Sequence, residues 1–240
     1  MGAESTTYFD HADYGMNTGP SAVAIVDLLL QWLSPISVVD AGCGTGMFHK
    51  EFKKRGVDTI LGLDGASTSS VFGPGKSNFQ VVDLTEPLEL DRGFDLALCL
   101  EVAEHLPESS ADLLVKTLTD LAPLALFSAA HPGQGGQGHL NERWPVYWQR
   151  RFHQHGYVSL DLLRGRLCEI SEVADFYRTN VFVFAEAHRA GELLENAEEV
   201  GTPDAYMRTY AGAISQDLRR QPWRELVTAL AGKARRRRRV

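Results

Sequence analysis

The sequence predicts an α/β fold: a doubly wound, seven-stranded and mostly parallel sheet, followed by a C-terminal helical extension. Short apolar runs alternate with longer amphipathic stretches along most of the chain. Acidic residues stand at or near the ends of four of these runs: Asp40, Asp64, Asp83 and Glu101. A glycine-rich turn, residues 42–46, joins the first run to a helical segment. Strands alternating with helices form parallel sheets, in which ligands bind beyond the carboxyl ends of the strands.

Each predicted element has a simple pattern behind it. The strands are short runs of valine, isoleucine, leucine and phenylalanine, as expected of buried parallel strands. They are predicted at residues 36–39, 59–63, 79–82, 94–100, 124–129, 157–163 and 180–187. Apolar residues three or four positions apart predict helices at residues 20–33, 47–55, 109–121 and 145–154. Proline is favoured in a first helical turn, so Pro20 is expected to begin the first helix.

The last part of the chain differs in composition from the rest. From about residue 186 it becomes helical and charged, and Pro203 and Pro222 divide it into short helices. Lys233 and the arginine run at residues 235–239 form a basic tail, which we interpret as solvated. We therefore expect one domain at residues 1–187, with an N-terminal helical arm, and a helical extension at residues 188–240.

Composition restricts the function classes. The 240 residues carry a net charge of −7, which argues against nucleic acid as a partner, the basic tail being the local exception. Cys43, Cys99 and Cys168 show no C-x-x-C spacing, so neither a disulfide framework nor a zinc knuckle is expected, and a reducing cytoplasmic setting fits best. No signal peptide and no membrane span are predicted. The oligomeric state, including a homodimer, stays open.

The glycine turn has a specific spacing. Residues 38–46 read V-V-D-A-G-C-G-T-G, a G-x-G-x-G pattern preceded by Asp40. Glycine allows the sharp turn and the close approach to a ligand that such loops need. A dinucleotide-binding fingerprint would require glycine or alanine where Met47 stands, and a Walker loop would require Gly-Lys-Ser/Thr. A nicotinamide-dependent dehydrogenase and a P-loop nucleotide site are therefore both excluded.

This pattern resembles motif I of the class I methyltransferases that use S-adenosylmethionine (SAM), with agreement over residues 36–107 and a looser continuation to residue 187. The resemblance implies a Rossmann-like methyltransferase fold and SAM as the cofactor. It implies that Asp64 holds the ribose hydroxyls, since a carboxylate can accept two hydrogen bonds from a vicinal diol. It also implies that Asp83 meets the adenine amino group. The residues expected to contact the cofactor are Asp40, Gly42, Cys43, Gly44, Gly46, Asp64, Asp83, Leu84, Leu100 and Glu101.

A Glu-x-x-Glu-His motif follows the fourth predicted strand, at Glu101, Glu104 and His105. Carboxylates favour magnesium or manganese, and imidazole admits zinc or iron, so the motif is a candidate divalent-metal site. It is similar to the motif of metal-dependent O-methyltransferases that act in the ubiquinone pathway or on RNA 3′ ends. Such sites usually include a further histidine, for which His131 is the first candidate and His139 the second. The alternative is a metal-free site in which His105 is a general base or part of the pocket wall.

The loop at residues 130–144 is glycine-rich, then polar, then aromatic. A long loop next to a site is usually functional, so we interpret it as a substrate-facing lid. The candidate substrate contacts are His139, Asn141 and Trp144, together with Tyr14 of the N-terminal segment. Trp148 is interpreted instead as a helix face packed on the sheet.

Together these patterns predict a SAM-dependent methyltransferase of a small-molecule acceptor, preferably a hydroxyl group of a secondary metabolite. An oxygen nucleophile needs a base or a metal ion, and His105 and His131 are the catalytic candidates. Three alternatives stay open: an RNA 2′-O-methyltransferase, an N-methyltransferase of a small-molecule amine, and a non-catalytic SAM-binding module. The acidic net charge disfavours the first, and the complete glycine motif disfavours the last.

Overall fold

The structure is a computed structural model, which describes the backbone of residues 11–199 and the side chains of residues 18–193. The expectations for Pro203, Pro222 and the basic tail lie outside the described residues, as does the side chain of Tyr14. The chain divides into two compact units, Met1–Glu186 and Ala187–Val240.

Seven strands of the first unit form one sheet. They are β1 Ser37–Ala41, β2 Thr59–Asp64, β3 Phe79–Val81, β4 Leu96–Leu100, β5 Leu124–Ser128, β6 Tyr157–Leu160 and β7 Phe182–Glu186. Their order across the sheet is β3-β2-β1-β4-β5-β7-β6. The strands from β1 to β5 run parallel to one another, whereas β7 is antiparallel to both β5 and β6. The predicted doubly wound, mostly parallel sheet is confirmed.

The order of the strands reverses at the centre of the sheet, between β1 and β4. These two strands lie side by side, with Val39 opposite Ala97. Every residue of β4 is buried, as expected of a central parallel strand covered on both faces. Ligands of doubly wound sheets bind in the crevice at such a switch point. The fold therefore brings the turn after β1 and the turn after β4 to one place.

The described part of the chain contains seven α-helices. They are α1 His11–Leu29, α2 Met47–Lys54, α3 Ala111–Leu121, α4 Pro145–Gln154, α5 Arg164–Leu167 and α6 Asp175–Asn180 in the first unit, and α7 Ala187–Glu199 in the second. α1 packs against α2, α3 against β4 and α4, and α4 against β6. Among the described residues, no helix combines the length and the hydropathy that crossing a membrane requires.

The expectation that the first helix begins at Pro20 is wrong, because α1 spans His11–Leu29 and contains this proline. A proline inside a helix removes one backbone donor and typically costs about 3 kcal/mol. After it, α1 fully buries Ile25, Val26 and Leu29. The Oγ atom of Ser21 also accepts a hydrogen bond from the backbone N–H of Ala174, at 3.0 Å. This buried face compensates for the missing donor.

Two predicted strands are each three residues shorter in the structure. β6 ends at Leu160, and the next residue, Asp161, pairs with the guanidinium group of Arg164 instead of extending the strand. β7 begins at Phe182, because Asn180 is the last residue of α6. The sequence did not predict α5 and α6, since helices of four and six residues are too short to show a helical period.

An aromatic cluster joins β5, β7 and α4. The rings of Phe152 and Phe184 stack with their centroids 3.8 Å apart, and Phe127 meets both rings edge-on. Trp148 is buried against Phe127, with a centroid distance of 5.1 Å, as expected for a helix face packed on the sheet. This cluster fixes α4, and with it the end of the loop that follows β5.

Candidate functional site

Three glycines with left-handed backbone build the turn after β1. Gly42, Gly44 and Gly46 have φ angles of 81°, 52° and 78°, which residues with a Cβ atom rarely adopt. Gly42 also lies against the turn after β4, since a Cβ atom on it would come within 2.3 Å of a methyl group of Val102. Gly46 leads directly into α2 without a side-chain cap. The two turns at the switch point are thus in direct contact.

The carboxylate of Asp64 ties the end of β2 to the glycine turn. One of its oxygens accepts a hydrogen bond from the backbone N–H of Gly44 at 2.8 Å. The other accepts from the backbone N–H of Gly65 at 2.7 Å and from the hydroxyl of Thr68 at 3.0 Å. A carboxylate offers about four acceptor positions, so three bonds fix its orientation and still leave room for a ligand hydroxyl.

Asp40 is the buried acidic residue of this region. Burial, and then the neighbouring Asp64 carboxylate, raise the pKa of Asp40 to about 7. Cys43 lies beside it, and burial raises the pKa of its thiol well above the ordinary range. The pKa of Cys99, on β4, is raised for the same reason. Both cysteines are therefore thiols that line the region, since the thiolate is the reactive form.

Asp83 follows β3 and is exposed, unlike Asp40. Its carboxylate accepts hydrogen bonds from the backbone N–H and the hydroxyl of Thr85, at 2.8 Å and 2.6 Å. These bonds lower the pKa of Asp83, so this carboxylate is charged at neutral pH. The next residue, Leu84, is half-buried.

Glu101, directly after β4, is the one non-glycine residue of the described chain with a left-handed backbone, at φ 54°. Such strain is typical of functional sites and costs on the order of 1–3 kcal/mol. The backbone N–H of Glu101 donates to both the carbonyl and the hydroxyl oxygen of Ser128 at the end of β5, at 3.1 Å each. These bonds hold the turn after β4 against the end of β5.

A chain of amide side chains holds the carboxylate of Glu101. The Nε2 atom of Gln134 donates to Glu101 at 3.1 Å, and the Nδ2 atom of Asn180 donates to the Oε1 atom of Gln134 at 2.7 Å. Burial raises the pKa of Glu101, and the polar side chains of Ser128, Gln134 and Asn180 oppose that shift. The loop after β5 is thereby fastened to the turn after β4.

Glu104 is almost completely buried, with 1% of its surface exposed. Burial, and then the adjacent Glu101 carboxylate, raise the pKa of Glu104 well above its ordinary value. Its Oε2 atom has no hydrogen-bond partner. Its backbone carbonyl accepts hydrogen bonds from the N–H groups of Leu140 and Asn141, at 2.7 Å and 3.0 Å. A buried carboxylate oxygen without a partner is costly unless a bound group supplies one.

Two imidazoles lie beside Glu104. The rings of His105 and His139 meet edge-on with centroids 4.8 Å apart. One potential ligand atom from each of Glu104, His105 and His139 lies within 4.8 Å of the others, a spacing that a single metal ion could bridge. Burial, and then the neighbouring His139, lower the pKa of His105, so that ring is neutral at pH 7. Neutral imidazole and carboxylate are the ligand forms that bind divalent cations.

Each of these imidazoles has an acceptor at its Nδ1 atom. Nδ1 of His105 lies 3.4 Å from the carbonyl oxygen of Gly138, and Nδ1 of His139 lies 2.9 Å from the carboxylate of Glu142. Carbonyl and carboxylate oxygens only accept, so both Nδ1 atoms carry the hydrogen. In a neutral ring with this arrangement the lone pair is on Nε2, as in metal-binding histidines whose Nδ1–H is held by an acceptor.

His131 and Asn141 have different surroundings. The ring of His131 stacks on Trp144 with an interplanar angle of 4° and a centroid distance of 5.3 Å, and among the described residues it is not part of the group around Glu104. The side chain of Asn141 is 2% exposed, and neither its Oδ1 nor its Nδ2 atom has a hydrogen-bond partner. Trp144 is 58% exposed and offers an aromatic surface next to these groups.

A family model described as "Methyltransferase domain" matches residues 21–169, more than half of the chain. This chain belongs to that methyltransferase family. Together with the fold, the match identifies a class I SAM-dependent methyltransferase, as the glycine turn indicated. No curated protein matches the sequence.

Several solved structures share the fold of this methyltransferase at low sequence identity. The SAH-bound magnesium protoporphyrin IX methyltransferase of Synechocystis PCC 6803 is 17% identical, covers 77% of this chain and 90% of its own, and has a TM-score of 0.50. The methyltransferase domain of a bacterial Hen1, CtHen1, is 19% identical, with coverages of 69% and 97% and a TM-score of 0.53.

A third structure is a putative O-methyltransferase of Nostoc punctiforme PCC 73102. It is 14% identical, covers 72% of this chain and 58% of its own, and has a TM-score of 0.53. This chain likewise spans 57% of the TnmH structure. It therefore corresponds to only part of these two proteins.

The methyltransferase fold gathers most of the predicted site residues around the switch point between β1 and β4. At the ends of β1, β2 and β4 lie Asp40, Gly42, Cys43, Gly44, Gly46, Asp64, Leu100 and Glu101. Asp83 and Leu84 follow β3 at the edge of the sheet. On the other side of the switch point, the loop after β5 brings His139 beside Glu104 and His105.

Sequence reasoning missed three residues that hold this loop: Gln134, Glu142 and Asn180. Glu142 could have been found, because a carboxylate three residues after a candidate ligand histidine is a plausible partner for its ring. Gln134 lies inside the glycine-rich stretch, where the sequence suggests only flexibility. Asn180 is 46 residues away from Gln134, and no local pattern connects them.

Proposed function

We propose that this methyltransferase transfers the methyl group of SAM to a hydroxyl group of a small-molecule acceptor, with a divalent cation held by Glu104, His105 and His139. The observation that carries the proposal is the grouping of these three side chains, with ligand atoms within 4.8 Å of one another around a carboxylate oxygen that has no partner. The group extends the predicted motif with His139, the second of the two candidate histidines.

The donor set fits a divalent cation. One carboxylate and two imidazoles suit manganese, iron or zinc better than magnesium, which prefers oxygen ligands. A bound cation would serve as the partner that the Oε2 atom of Glu104 lacks. It would also lower the pKa of an acceptor hydroxyl that lies beside the cation. Glu101 lies next to this group with one buried, unpartnered oxygen of its own, so we retain it as a further candidate ligand.

On the cofactor side, we assign Asp64 to the ribose hydroxyls and Asp83 to the adenine amino group. Two observations support the assignment of Asp64. Its carboxylate is oriented by the backbone N–H of Gly44, and it can still accept a further hydrogen bond. Asp83 is exposed and charged at the end of β3, where it can accept from an amino group. Leu100 and Glu101 then face the methionine portion of SAM, next to the acceptor.

The reaction would be an in-line displacement at the methyl carbon. The acceptor oxygen forms the new bond to that carbon as the carbon–sulfur bond breaks, leaving S-adenosylhomocysteine and releasing the hydroxyl proton. His131 is our candidate for receiving that proton, because it lies outside the group around Glu104. Its Nδ1 atom contacts the carbonyl oxygen of Pro132 at 3.2 Å, which leaves Nε2 as the basic nitrogen. Alignment of the two reacting atoms would supply much of the acceleration.

The surroundings of the group favour an apolar or aromatic small molecule as the acceptor. Leu140 and Trp144 of the loop after β5 and Val146 at the start of α4 are large apolar residues, yet they are 69%, 58% and 46% exposed. Asn141 adds a buried amide without partners, which could bind a polar group of the acceptor. The net charge of −7 argues against RNA as the acceptor. A cytoplasmic enzyme of secondary metabolism is the setting that we infer.

The proposal can be tested with radiolabelled SAM and a panel of phenols, catechols, aliphatic alcohols and matched amines. We expect label in hydroxyl compounds, loss of transfer in EDTA, and recovery when manganese is added. His105→Ala should abolish the transfer. His155→Ala, which changes an exposed histidine at the end of α4, should not alter it. Methylation of amines that EDTA does not inhibit would contradict the proposal.

A further inference from the structure

The carboxylate of Glu142 makes three hydrogen bonds within its own loop. Its Oε1 atom accepts from Nδ1 of His139 at 2.9 Å and from the backbone N–H of Gly135 at 3.2 Å. Its Oε2 atom accepts from the backbone N–H of Gly133 at 3.0 Å. The side chain is 24% exposed, so the carboxylate lies at the surface of the loop that it organises.

These bonds matter because the segment from Gly133 to Gly138 contains four glycines in six residues. Glycine loses more conformational freedom on ordering than any other residue, so such a segment has little order of its own. Glu142 closes it into a ring of ten residues by binding two of its backbone N–H groups. Glu142 is therefore the side chain that closes this loop on itself.

The carboxylate of Glu142 also determines which ring nitrogen of His139 carries the lone pair when the ring is neutral. It accepts the hydrogen of Nδ1, so the lone pair of the ring is on Nε2. Gly136 packs against that edge of the ring, since a Cβ atom on Gly136 would come within 2.2 Å of Nε2. The ring is thus positioned on one side by Glu142 and on the other by loop backbone that only glycine allows so close.

We propose that Glu142 is a positioning residue, which closes the loop at residues 133–142 and holds the imidazole of His139 beside Glu104 and His105. This inference rests on the proposed function, because it assigns to His139 a role in holding a cation. Glu142 itself is not a ligand of the cation, since both of its oxygens are occupied by the loop. Outer carboxylates of this kind typically contribute roughly 10–100-fold to metal affinity.

The test compares Glu142→Gln with Glu108→Gln. Glu108 is a matched control because its carboxylate pairs with Arg143, the next residue after Glu142, and with Tyr147, but has no contact with His139. Long-range ¹H–¹⁵N spectra of the metal-free proteins report which ring nitrogen of His139 carries the hydrogen, with His139→Ala to assign the signals. Calorimetric titration with manganese reports the affinity, and titration with SAM reports the cofactor side.

We expect the wild type and Glu108→Gln to show the hydrogen on Nδ1 of His139, and Glu142→Gln to show a mixture of both tautomers. Manganese affinity should fall roughly 10–100-fold in Glu142→Gln alone, while SAM affinity is unchanged. Unchanged tautomer and affinity in Glu142→Gln would overturn the inference. If Glu142→Gln does not fold, Glu142→Asp, which withdraws the carboxylate by one methylene, is measured in the same way.

Failure of the proposed function gives a different result. If the wild type binds no manganese, the proposed function is wrong in assigning a cation to Glu104, His105 and His139. The tautomer of His139 then still decides whether Glu142 positions the ring. A tautomer that depends on Glu142 would support positioning, and one that does not would contradict it.

Discussion

The two halves of the site that the proposed function distinguishes are held together over different distances along the chain. The proposed cofactor side comprises the glycine turn with Asp64 and Asp83, and the proposed acceptor side comprises the turn after β4 with the loop after β5. On the cofactor side, Asp64 binds Gly44, 20 residues away, and Thr68, four residues away, while Asp83 binds Thr85 two residues on. On the acceptor side, His105 meets Gly138 and Glu101 meets Gln134, each across 33 residues. Asn180 reaches Gln134 across 46 residues. One side is made by a local motif, whereas the other is made by the closure of a distant loop.

The two sides also differ in the direction in which the pKa values of their carboxylates are shifted. Asp83 is exposed and its pKa is lowered by hydrogen bonds, whereas the pKa values of Glu101 and Glu104 are raised by burial. Asp40 is the exception on the cofactor side, since burial raises its pKa as well. The proposed cation would act on this difference, because its positive charge would oppose the burial that raises the pKa values of Glu101 and Glu104.

Removal of Glu104 should have the largest effect and should be confined to the acceptor side. We expect Glu104→Gln to lower turnover roughly 1000-fold, at the upper end of what losing one preorganised electrostatic group costs. SAM affinity should be unchanged, because Asp64 and the glycine turn are untouched. Steady-state rates and calorimetry measure the two quantities, with Glu108→Gln as the control. A parallel loss of SAM affinity would mean that the two sides are not separate.

Asp40 should make the stability of the protein depend on pH. Its pKa is about 7 in the folded chain and 3.8 ordinarily, so between these values the folded state binds a proton that the unfolded state has released. Stability due to this group is therefore present at low pH and is lost as pH rises towards 7. Between pH 5 and pH 7 the free energy of unfolding should fall by about 2 kcal/mol from this cause.

Urea unfolding of the cofactor-free protein at several pH values measures how steeply the free energy of unfolding falls with pH. Asp40→Asn, which resembles the protonated carboxyl in shape, should be less dependent on pH in the same window. An identical slope in the variant and the wild type would show that Asp40 is charged in the folded state, and the cofactor side would then contain no neutral carboxyl.

Asp64→Asn should weaken SAM binding roughly tenfold, about 1.4 kcal/mol, because it replaces a charged acceptor by a neutral one that retains a single acceptor oxygen. Manganese affinity should not change. Calorimetry measures both, and Asp112→Asn on the exposed face of α3 serves as the control. A lower affinity for manganese with an unchanged affinity for SAM would contradict the assignment of Asp64 to the cofactor side.

The smallest expected effect is a difference in stability between substitutions at two glycines of the same turn. Gly42→Ala and Gly44→Ala both place a Cβ atom on left-handed backbone, but only the first also meets Val102, at 2.3 Å, whereas nothing lies within 4 Å of the second. We expect Gly42→Ala to be the less stable by about 1 kcal/mol, the lower range for overpacking. Thermal or urea unfolding measures the difference. Equal stability would mean that the turns after β1 and β4 can move apart without cost.

Much of the fold and of the cofactor side could be predicted because the information is local. The alternation of strands and helices specifies the sheet, and the spacing of Gly42, Gly44 and Gly46 specifies the turn. Asp64 is the last residue of its strand, so its place at the carboxyl end of the sheet needs no tertiary contact. Pro20 shows the limit of such reasoning, because the buried face of α1 outweighs a local preference for a first turn.

The acceptor side could be predicted only in outline. The motif at Glu101, Glu104 and His105 is visible in the sequence, but the path of the loop after β5 determines that His139, and not His131, lies beside Glu104. That path depends on Gln134 and on other long-range bonds, whose partners have no fixed spacing. The left-handed backbone of Glu101 is likewise invisible, since glutamate has no preference for it.

The central claim is that the acceptor side holds a divalent cation through Glu104, His105 and His139. The most direct measurement is a calorimetric manganese titration of the wild type, His139→Ala and His131→Ala. We predict one equivalent bound by the wild type and by His131→Ala, and none by His139→Ala. No binding by the wild type, or loss of binding in His131→Ala but not in His139→Ala, would contradict the claim.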